Sequence, residues 1–225
     1  NAYNVSPTMH ALVHETFGSP EAALAYRTVD TPEVADDQVL VRVGAAGVAI
    51  GDWLTTMGLP YIARPQYGFR KPKTRIAGHE LAGVVEAVGA TVTEFEPGDE
   101  VFGWADGSLA EFVAVPADKL AAKPSNLTLQ QAAAVPISGL AAFEALQDAG
   151  GLRSGQSVLI TGASGAVGTF AVQIAKALGA EVTAVCSTRN IDMVRSIGAD
   201  SVVDYTKQSI ADAGRQYDLI LDLAG

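Results

Sequence analysis

Cysteine is nearly absent from this sequence of 225 residues, in which Cys186 is the only one. A single cysteine cannot form an intrachain disulfide and cannot build a four-cysteine zinc site. Sparse use of cysteine is typical of proteins in reducing compartments. We therefore expect a cytoplasmic protein.

Long apolar runs and an excess of basic residues are also missing. No window approaches the ~18 consecutive apolar residues of a membrane span, and the first residues lack the apolar core of a secretory signal. The formal net charge of −10 opposes general binding to nucleic acid or to an anionic membrane. We expect a globular protein with a small-molecule substrate and no nucleic-acid or membrane partner, in which any anionic ligand needs a local site.

The strongest motif is the apolar run VLITGASGAVG at residues 158–168, which ends in glycines at every third position. A strand that delivers glycines to the start of a helix builds an anion site, because bare backbone lets N–H groups and the helix dipole reach a diphosphate. The dinucleotide fingerprint is Gly-x-Gly-x-x-Gly. Here Ala163 replaces its first glycine, while Gly165 and Gly168 keep the second and third.

We interpret this motif as a dinucleotide-binding turn, because a second predicted strand at residues 181–186 completes a β-α-β unit. The alternative is a small-residue turn that only packs a helix on a strand. The turn residues expected to bind the cofactor are Gly162, Ala163, Ser164, Gly165, Ala166, Val167 and Gly168.

The residues after the second predicted strand indicate which dinucleotide binds. NAD sites usually carry an acidic residue about 20 residues after the glycines, whereas NADP sites accommodate the 2′-phosphate with an arginine. Ser187, Thr188 and Arg189 occupy this place without a carboxylate, so we expect NADPH. Tyr205, after the third predicted strand, could flank the same phosphate. Alternatively, Ser187 caps a helix, Arg189 is a solvated surface charge and Tyr205 is ordinary packing.

Two regions of different pattern divide the chain. Residues 9–125 contain short strands separated by Gly, Pro and Asp, which is typical of antiparallel β structure. Residues 126–225 open with a Thr128-x-x-Gln131 capping box and then alternate strands with helices, which is typical of a parallel sheet. Only four parallel strands can be placed, against the usual six of a doubly wound sheet. We therefore expect the C-terminal part of this sheet to be incomplete.

The predicted strands are residues 11–14, 38–43, 81–88, 100–104, 109–115, 181–186, 201–204 and 217–223, besides the strand that opens the glycine motif. The predicted helices are residues 138–148, 167–178, 191–197 and 208–213. Residues 53–75 are predicted to be irregular, as either a site cover or a linker.

Candidate metal ligands and catalytic residues lie in the first region. His79 and Glu80 could ligate zinc, but a catalytic zinc needs about three protein ligands. The sequence offers no evident third ligand, since it has no Cys-x-x-Cys pair and its one cysteine, Cys186, lies in a predicted strand of the second region. We expect no metal; the two side chains would then form hydrogen bonds inside the β-rich domain. Asp52 and Trp53, followed by Tyr61 and Tyr67, could line a pocket for a planar substrate, with Tyr61 as a hydrogen-bond donor. The alternative for these residues is core or lid packing.

Taken together, the motifs resemble the medium-chain dehydrogenase/reductase superfamily, in its zinc-independent quinone oxidoreductase branch. The stretches that carry the resemblance are residues 78–85 (GHELAGVV), 97–103 (PGDEVFG) and 162–168 (GASGAVG). The resemblance implies an α/β protein with a GroES-like β-rich domain at residues 9–125 and a truncated Rossmann NADP-binding domain at residues 126–225. Ala163 is usual in this branch. Ala49 stands where the zinc alcohol dehydrogenases have a cysteine.

The resemblance also places residues 135–142 near the nicotinamide, where Ser138 is the only hydroxyl and is therefore assigned to the cofactor site. We expect a homodimer that transfers hydride from NADPH to a quinone, enone or related carbonyl compound without metal. Asp52, Trp53 and Tyr61 are the expected catalytic residues, and the proton comes from Tyr61 or water. The alternatives are a zinc-dependent alcohol dehydrogenase that uses His79 and Glu80, and a non-catalytic NADPH-binding module.

Overall fold

The computed structural model describes residues 5–210 and 215–224, and the chain divides after Pro136 into two compact units. In the first unit, β1 (Thr8–His14) pairs with β2 (Leu24–Asp30). A separate antiparallel sheet contains β3 (Gln38–Gly47), β4 (Glu80–Val88), β5 (Glu100–Trp104), β6 (Phe112–Pro116) and β7 (Leu120–Ala122), in the order β6-β3-β4-β5-β7.

Alternate residues of the five-stranded sheet build the core of the first unit. Successive side chains of a strand point to opposite faces, so residues two apart enter the same core. The fully or almost fully buried members are Val39, Val41, Leu81, Val85, Val101, Val113 and Val115.

Short helices accompany this sheet: α1 (Pro20–Ala23), α2 (Ile50–Met57), α3 (Arg64–Tyr67) and α4 (Leu129–Ala132). The predicted capping box starts α4, where the Gln131 amide donates to Thr128 Oγ1 (3.2 Å) and the Thr128 amide donates to Gln131 Oε1 (2.9 Å). Because α4 packs on β3 and β4, the residues between 126 and 136 lie with the first unit. The domain boundary at residues 125 and 126 stays a prediction from sequence.

The second unit holds a parallel sheet of β8 (Ser157–Ile160), β9 (Glu181–Cys186), β10 (Ser201–Asp204) and β11 (Leu219–Leu221). Its order is β10-β9-β8-β11. Its helices are α5 (Pro136–Glu144), which continues into a π-helical turn at Ala145–Ala149, α6 (Ala166–Ala177) and α7 (Ile191–Ser196). The strand order reverses at β8, and ligands of open α/β sheets bind at the carboxyl ends of the strands beside such a reversal.

Both faces of the parallel sheet are buried. Val158 and Ile160 of β8 face a cluster that includes Val172 of α6, while Leu159 between them belongs to a second cluster with Val185. Burial on both faces is typical of parallel sheets. The predicted α/β architecture, a β-rich region followed by a doubly wound parallel sheet, is confirmed.

The structure differs from the sequence predictions in several places. The strands β2 and β7 were not predicted; the side chains of β2 are mostly exposed and show no alternation. The irregular stretch at residues 53–75 is wrong in part, since α2 continues to Met57 and α3 follows it. The helix predicted at residues 208–213 ends outside the described part of the chain. Within the described ranges, no helix is long and apolar enough to cross a membrane.

We predict that Leu146→Ala destabilises the second unit by about 2–5 kcal/mol, because Leu146 is completely buried and its loss leaves a cavity. Hydrogen exchange of the β8 and β9 amides reports the free energy of unfolding of this unit. Leu140→Ala is the matched control, since Leu140 lies in α5 with 49% of its surface exposed. Equal losses in the two variants would contradict the assignment of Leu146 to the core.

Candidate functional site

The glycine motif forms the turn between β8 and α6. Gly162 has a φ of 59°, in the left-handed region that favours glycine, and Gly165 is the N-cap residue of α6. Ala163 is completely buried in the core of the second unit. A methyl group therefore fits where the fingerprint has its first glycine, because that side chain points into apolar packing and not towards a ligand.

The last two glycines of the turn serve different purposes. A Cβ atom on Gly168 would lie 2.2 Å from the carbonyl oxygen of Gly162, so only hydrogen fits there and α6 packs directly against the turn. A Cβ atom on exposed Gly165 would meet only the same oxygen, at 3.2 Å. Gly168 is thus required by packing, whereas Gly165 leaves backbone open to a ligand at the start of α6.

The end of β9 is tied to this turn through a side chain that the sequence analysis missed. Asn190 Nδ2 donates to Ser164 Oγ at 2.9 Å and approaches Ser187 Oγ at 3.5 Å. Ser187 precedes a 3-10 turn at Thr188–Asn190, but its side chain forms no capping hydrogen bond there. The predicted residues of the glycine turn and of the β9 end therefore come together in one place.

Arg189 and Tyr205 are exposed at the carboxyl ends of β9 and β10, with 61% of the Tyr205 surface accessible. For Arg189 we find no hydrogen bond or ion pair among the residues that the structure describes. Its guanidinium is therefore free to meet an anionic ligand at this edge of the sheet.

Asp204, at the end of β10, is a second residue that the sequence analysis missed. Its Oδ2 accepts a hydrogen bond from Thr188 Oγ1 (2.5 Å), and its Oδ1 accepts from the amide and the hydroxyl of Thr206 (3.0 and 2.6 Å). These hydrogen bonds lower the pKa of Asp204 to about 2. Thr188 thus donates its only hydroxyl proton to the Asp204 carboxylate. No local sequence pattern predicts this hydrogen bond.

Ser138 lies in α5 and is buried. Its assignment to the cofactor site stays a prediction.

In the first unit, Asp52 and His79 form a closely paired acid and imidazole. Asp52, in α2, accepts a hydrogen bond from the Ala49 amide on Oδ2 (2.7 Å) and from His79 Nδ1 on Oδ1 (2.6 Å). His79 Nε2 lies 3.6 Å from Asp106 Oδ1. The hydrogen bond to Asp52 raises the pKa of His79 above its ordinary value.

This pair lines a cavity of about 280 Å³ within the first unit. Other lining residues are His14, Phe17, Tyr67 and Lys73; burial lowers the pKa of His14. Of the three predicted catalytic residues, Asp52 lines the cavity. Trp53 and Tyr61 do not belong to its lining, and the Tyr61 ring, 71% exposed, lies 4.8 Å from the Arg64 guanidinium.

Glu80, next to His79, is buried. Across the described ranges, no group of three or more His, Cys, Asp or Glu side chains is arranged to hold a metal ion.

Two protein-family models match the chain. The model described as alcohol dehydrogenase GroES-like domain matches residues 35–125, and the model described as zinc-binding dehydrogenase matches residues 166–225.

Curated relatives and solved structures agree with these matches. The chain is 33% identical to the chloroplastic NADPH-dependent alkenal/one oxidoreductase of Arabidopsis thaliana, over 99% of this chain and 59% of that protein. It is 37% identical to the chloroplast envelope quinone oxidoreductase homolog of the same plant, over 96% of this chain and 68% of that protein. The quinone oxidoreductase structure from Coxiella burnetii matches with a TM-score of 0.84 and 30% identity, covering 97% of this chain and 69% of that one. Several curated relatives are covered over only 58% to 60% of their length.

We predict that Gly168→Ala and Gly165→Ala have different consequences. Gly168→Ala should unfold the second unit or strongly lower its melting temperature, because the new methyl group overlaps the Gly162 carbonyl. Gly165→Ala should retain the fold with a loss of about 1 kcal/mol or less, yet weaken dinucleotide binding by placing a methyl group where a diphosphate approaches the backbone. Thermal unfolding and calorimetric titration with NADPH separate the two effects. Unchanged dinucleotide affinity in Gly165→Ala would contradict this reading of the turn.

We predict that Asp52→Asn lowers the pKa of His79 towards the ordinary value of about 6.5, measured by NMR titration of the imidazole. Because the His79 pKa is raised in the folded chain, the pair contributes stability that is present below the unfolded-state pKa and is lost as pH rises through the folded-state pKa. The variant should lose this pH dependence in urea unfolding. Asp106→Asn is the control, with a smaller effect, since Asp106 lies farther from the ring. The same His79 titration in wild type and Asp52→Asn would refute the pairing.

Proposed function

The chain belongs to the medium-chain dehydrogenase/reductase superfamily, in its quinone oxidoreductase-like branch, and on this basis we propose that the protein is an NADPH-dependent oxidoreductase. The reaction is hydride transfer to a quinone, enone or related carbonyl compound, without metal. The observation that carries the proposal is the open backbone of Gly165 at the start of α6, beside the strand-order reversal of the sheet.

The residues of the second unit fit a phosphorylated dinucleotide. Gly165 leaves room for a diphosphate at the start of α6, and Arg189, at the end of the adjacent strand β9, has no partner among the described residues. Asp204, a carboxylate at the end of the neighbouring strand, already accepts hydrogen bonds from Thr188 and Thr206 on both oxygens. An arginine without a competing free carboxylate favours NADPH over NADH.

The chain's residues would bind and orient the reactants, while NADPH supplies the hydride. Orientation of two reactants can lower a barrier by roughly 7–11 kcal/mol at best. Tyr61 remains a proposed proton donor, with water as the alternative. His79 adds a second group that can hold a proton, since its imidazole lines the cavity beside Asp52.

The metal-free assignment rests on the surroundings of His79. Among the residues that the structure describes, no group of three or more His, Cys, Asp or Glu side chains that could hold a metal surrounds it, and Ala49 occupies the position of the zinc-ligand cysteine in the alcohol dehydrogenases that the motif resembles. The alternative of a zinc-dependent alcohol dehydrogenase keeps support from the description of the second family model. Metal analysis of the purified protein distinguishes them, because stoichiometric zinc would overturn the metal-free assignment.

A homodimer in the cytoplasm completes the proposal. Relatives in chloroplasts and mitochondria make the compartment a matter for experiment. Sedimentation analysis and imaging of the tagged protein test these two points.

We predict that the protein oxidises NADPH faster than NADH with quinones or enones, and that Arg189→Ala raises the dissociation constant for NADPH about 10- to 100-fold. This range corresponds to the loss of one charge-assisted hydrogen bond. NADH binding should change little, because NADH lacks the 2′-phosphate. Arg153→Ala is the matched control: Arg153 is also exposed, but it precedes β8 and so lies towards the opposite edge of the sheet. An unchanged NADPH preference in Arg189→Ala would remove the phosphate assignment, and tight NADPH binding without turnover would favour a binding module.

A further inference from the structure

We propose that Lys207 is a second cationic ligand of the cofactor's 2′-phosphate, acting together with Arg189 from the neighbouring strand end. The inference rests on the proposed function and names a specificity residue for it. It follows from how the ends of β9 and β10 are joined, from the charge buried between them and from the exposure of the lysine.

The loops after β9 and β10 are in direct contact. The hydroxyl oxygens of Thr188 and Thr206 lie 3.0 Å apart, and the Tyr205 amide donates to the Cys186 carbonyl at 3.2 Å. Arg189 directly follows Thr188, and Lys207 directly follows Thr206. The two cationic residues therefore lie on adjacent loops at the same carboxyl edge of the sheet.

A short turn brings Lys207 back to Asp204. The Lys207 amide donates to the Asp204 carbonyl at 3.0 Å, and the Lys207 ammonium lies 3.7 Å from Asp204 Oδ2. This distance exceeds that of a hydrogen bond, and 67% of the Lys207 side chain is exposed. The three ammonium protons are thus available to a ligand while the carboxylate holds the charge near the strand ends.

The charge balance of this edge favours a second cation beside Arg189. A phosphate monoester carries about −1.5 to −2 charges near neutral pH, and the carboxylate of Asp204 adds another negative charge beside Thr188. The protein as a whole is also negative, at −10. Lys207 brings a second positive charge to this edge, so that a phosphate can be bound by Arg189 and Lys207 together despite the carboxylate of Asp204.

Asp204 does not take the part of the acidic residue in NAD sites. That residue accepts hydrogen bonds from the adenine ribose, whereas both oxygens of Asp204 already accept hydrogen bonds from threonines. The Asp204 carboxylate is also buried, with only 7% of the residue surface exposed, and is therefore poorly accessible to a ribose hydroxyl. With Lys207 beside it, this edge is instead suited to an anion.

The test measures binding of 2′,5′-ADP and of 5′-AMP by calorimetry, because these ligands differ only in the 2′-phosphate and need no turnover. We expect Lys207→Gln to raise the dissociation constant for 2′,5′-ADP about tenfold and to leave that for 5′-AMP within about twofold. Lys207→Arg should restore the affinity, since the charge and donors are kept. Lys176→Gln is the matched control, because it also removes one positive charge that is paired with an aspartate. Its partner, Asp200, directly precedes β10 and so lies at the opposite end of that strand from Lys207.

Equal affinity of wild type and Lys207→Gln for 2′,5′-ADP would overturn the role of Lys207. If Arg189→Ala alone loses affinity, the NADPH assignment stands without this lysine. If the wild-type protein binds 2′,5′-ADP no better than 5′-AMP, both the NADPH assignment and the role of Lys207 are overturned. Thermal unfolding of each variant verifies that the fold is retained, which the exposure of Lys207 leads us to expect.

Discussion

The close approach of α6 to the glycine turn is the constraint on which the second unit depends. Only hydrogen fits between Gly168 and the carbonyl oxygen of Gly162, so the first turn of α6 sits directly against the end of β8. The same contact sets Val172 and Ala175 into the core shared with β8 and β9. A single steric requirement therefore fixes both the packing of the helix and the position of its N-terminal amides, where Gly165 leaves the backbone open.

Charge imposes a second constraint, because the proposed cofactor is anionic and an anionic protein needs a local positive site to bind it. The carboxyl edge of the parallel sheet offers Arg189, which is exposed after β9. Ser187, Thr188 and Arg189, which follow β9, include no carboxylate, but Asp204 at the end of the neighbouring strand β10 supplies one. Hydrogen bonds from Thr188 and Thr206 occupy both of its oxygens. The carboxylate thereby joins the two strand ends.

Local patterns predicted much of the fold, and contacts between distant residues account for what they missed. Residues close together in the sequence determine the capping box at Thr128, the glycine turn and the alternation of strands and helices. The structure contains all three. The bonds that assemble the sites join residues 26 positions apart (Ser164 and Asn190), 16 apart (Thr188 and Asp204) and 27 apart (Asp52 and His79). Such pairs depend on strand order and loop path, which residue spacing does not encode. The strand β2 was missed for another reason, since an exposed strand has no hydrophobic period.

The Asp52 and His79 pair gives the Gly-His-Glu stretch a role that does not require a metal. Asp52 is anchored by the Ala49 amide at the start of α2, and its other oxygen holds the imidazole at 2.6 Å. Burying an unpaired carboxylate destabilises the folded state. Asp52 therefore needs a cation or a hydrogen-bond donor at this position. His79 meets that need, and in doing so its ring is fixed with Nε2 towards Asp106 at the cavity. Replacing His79 would leave the Asp52 carboxylate without this partner, which makes the histidine necessary for the local structure whatever its part in the reaction.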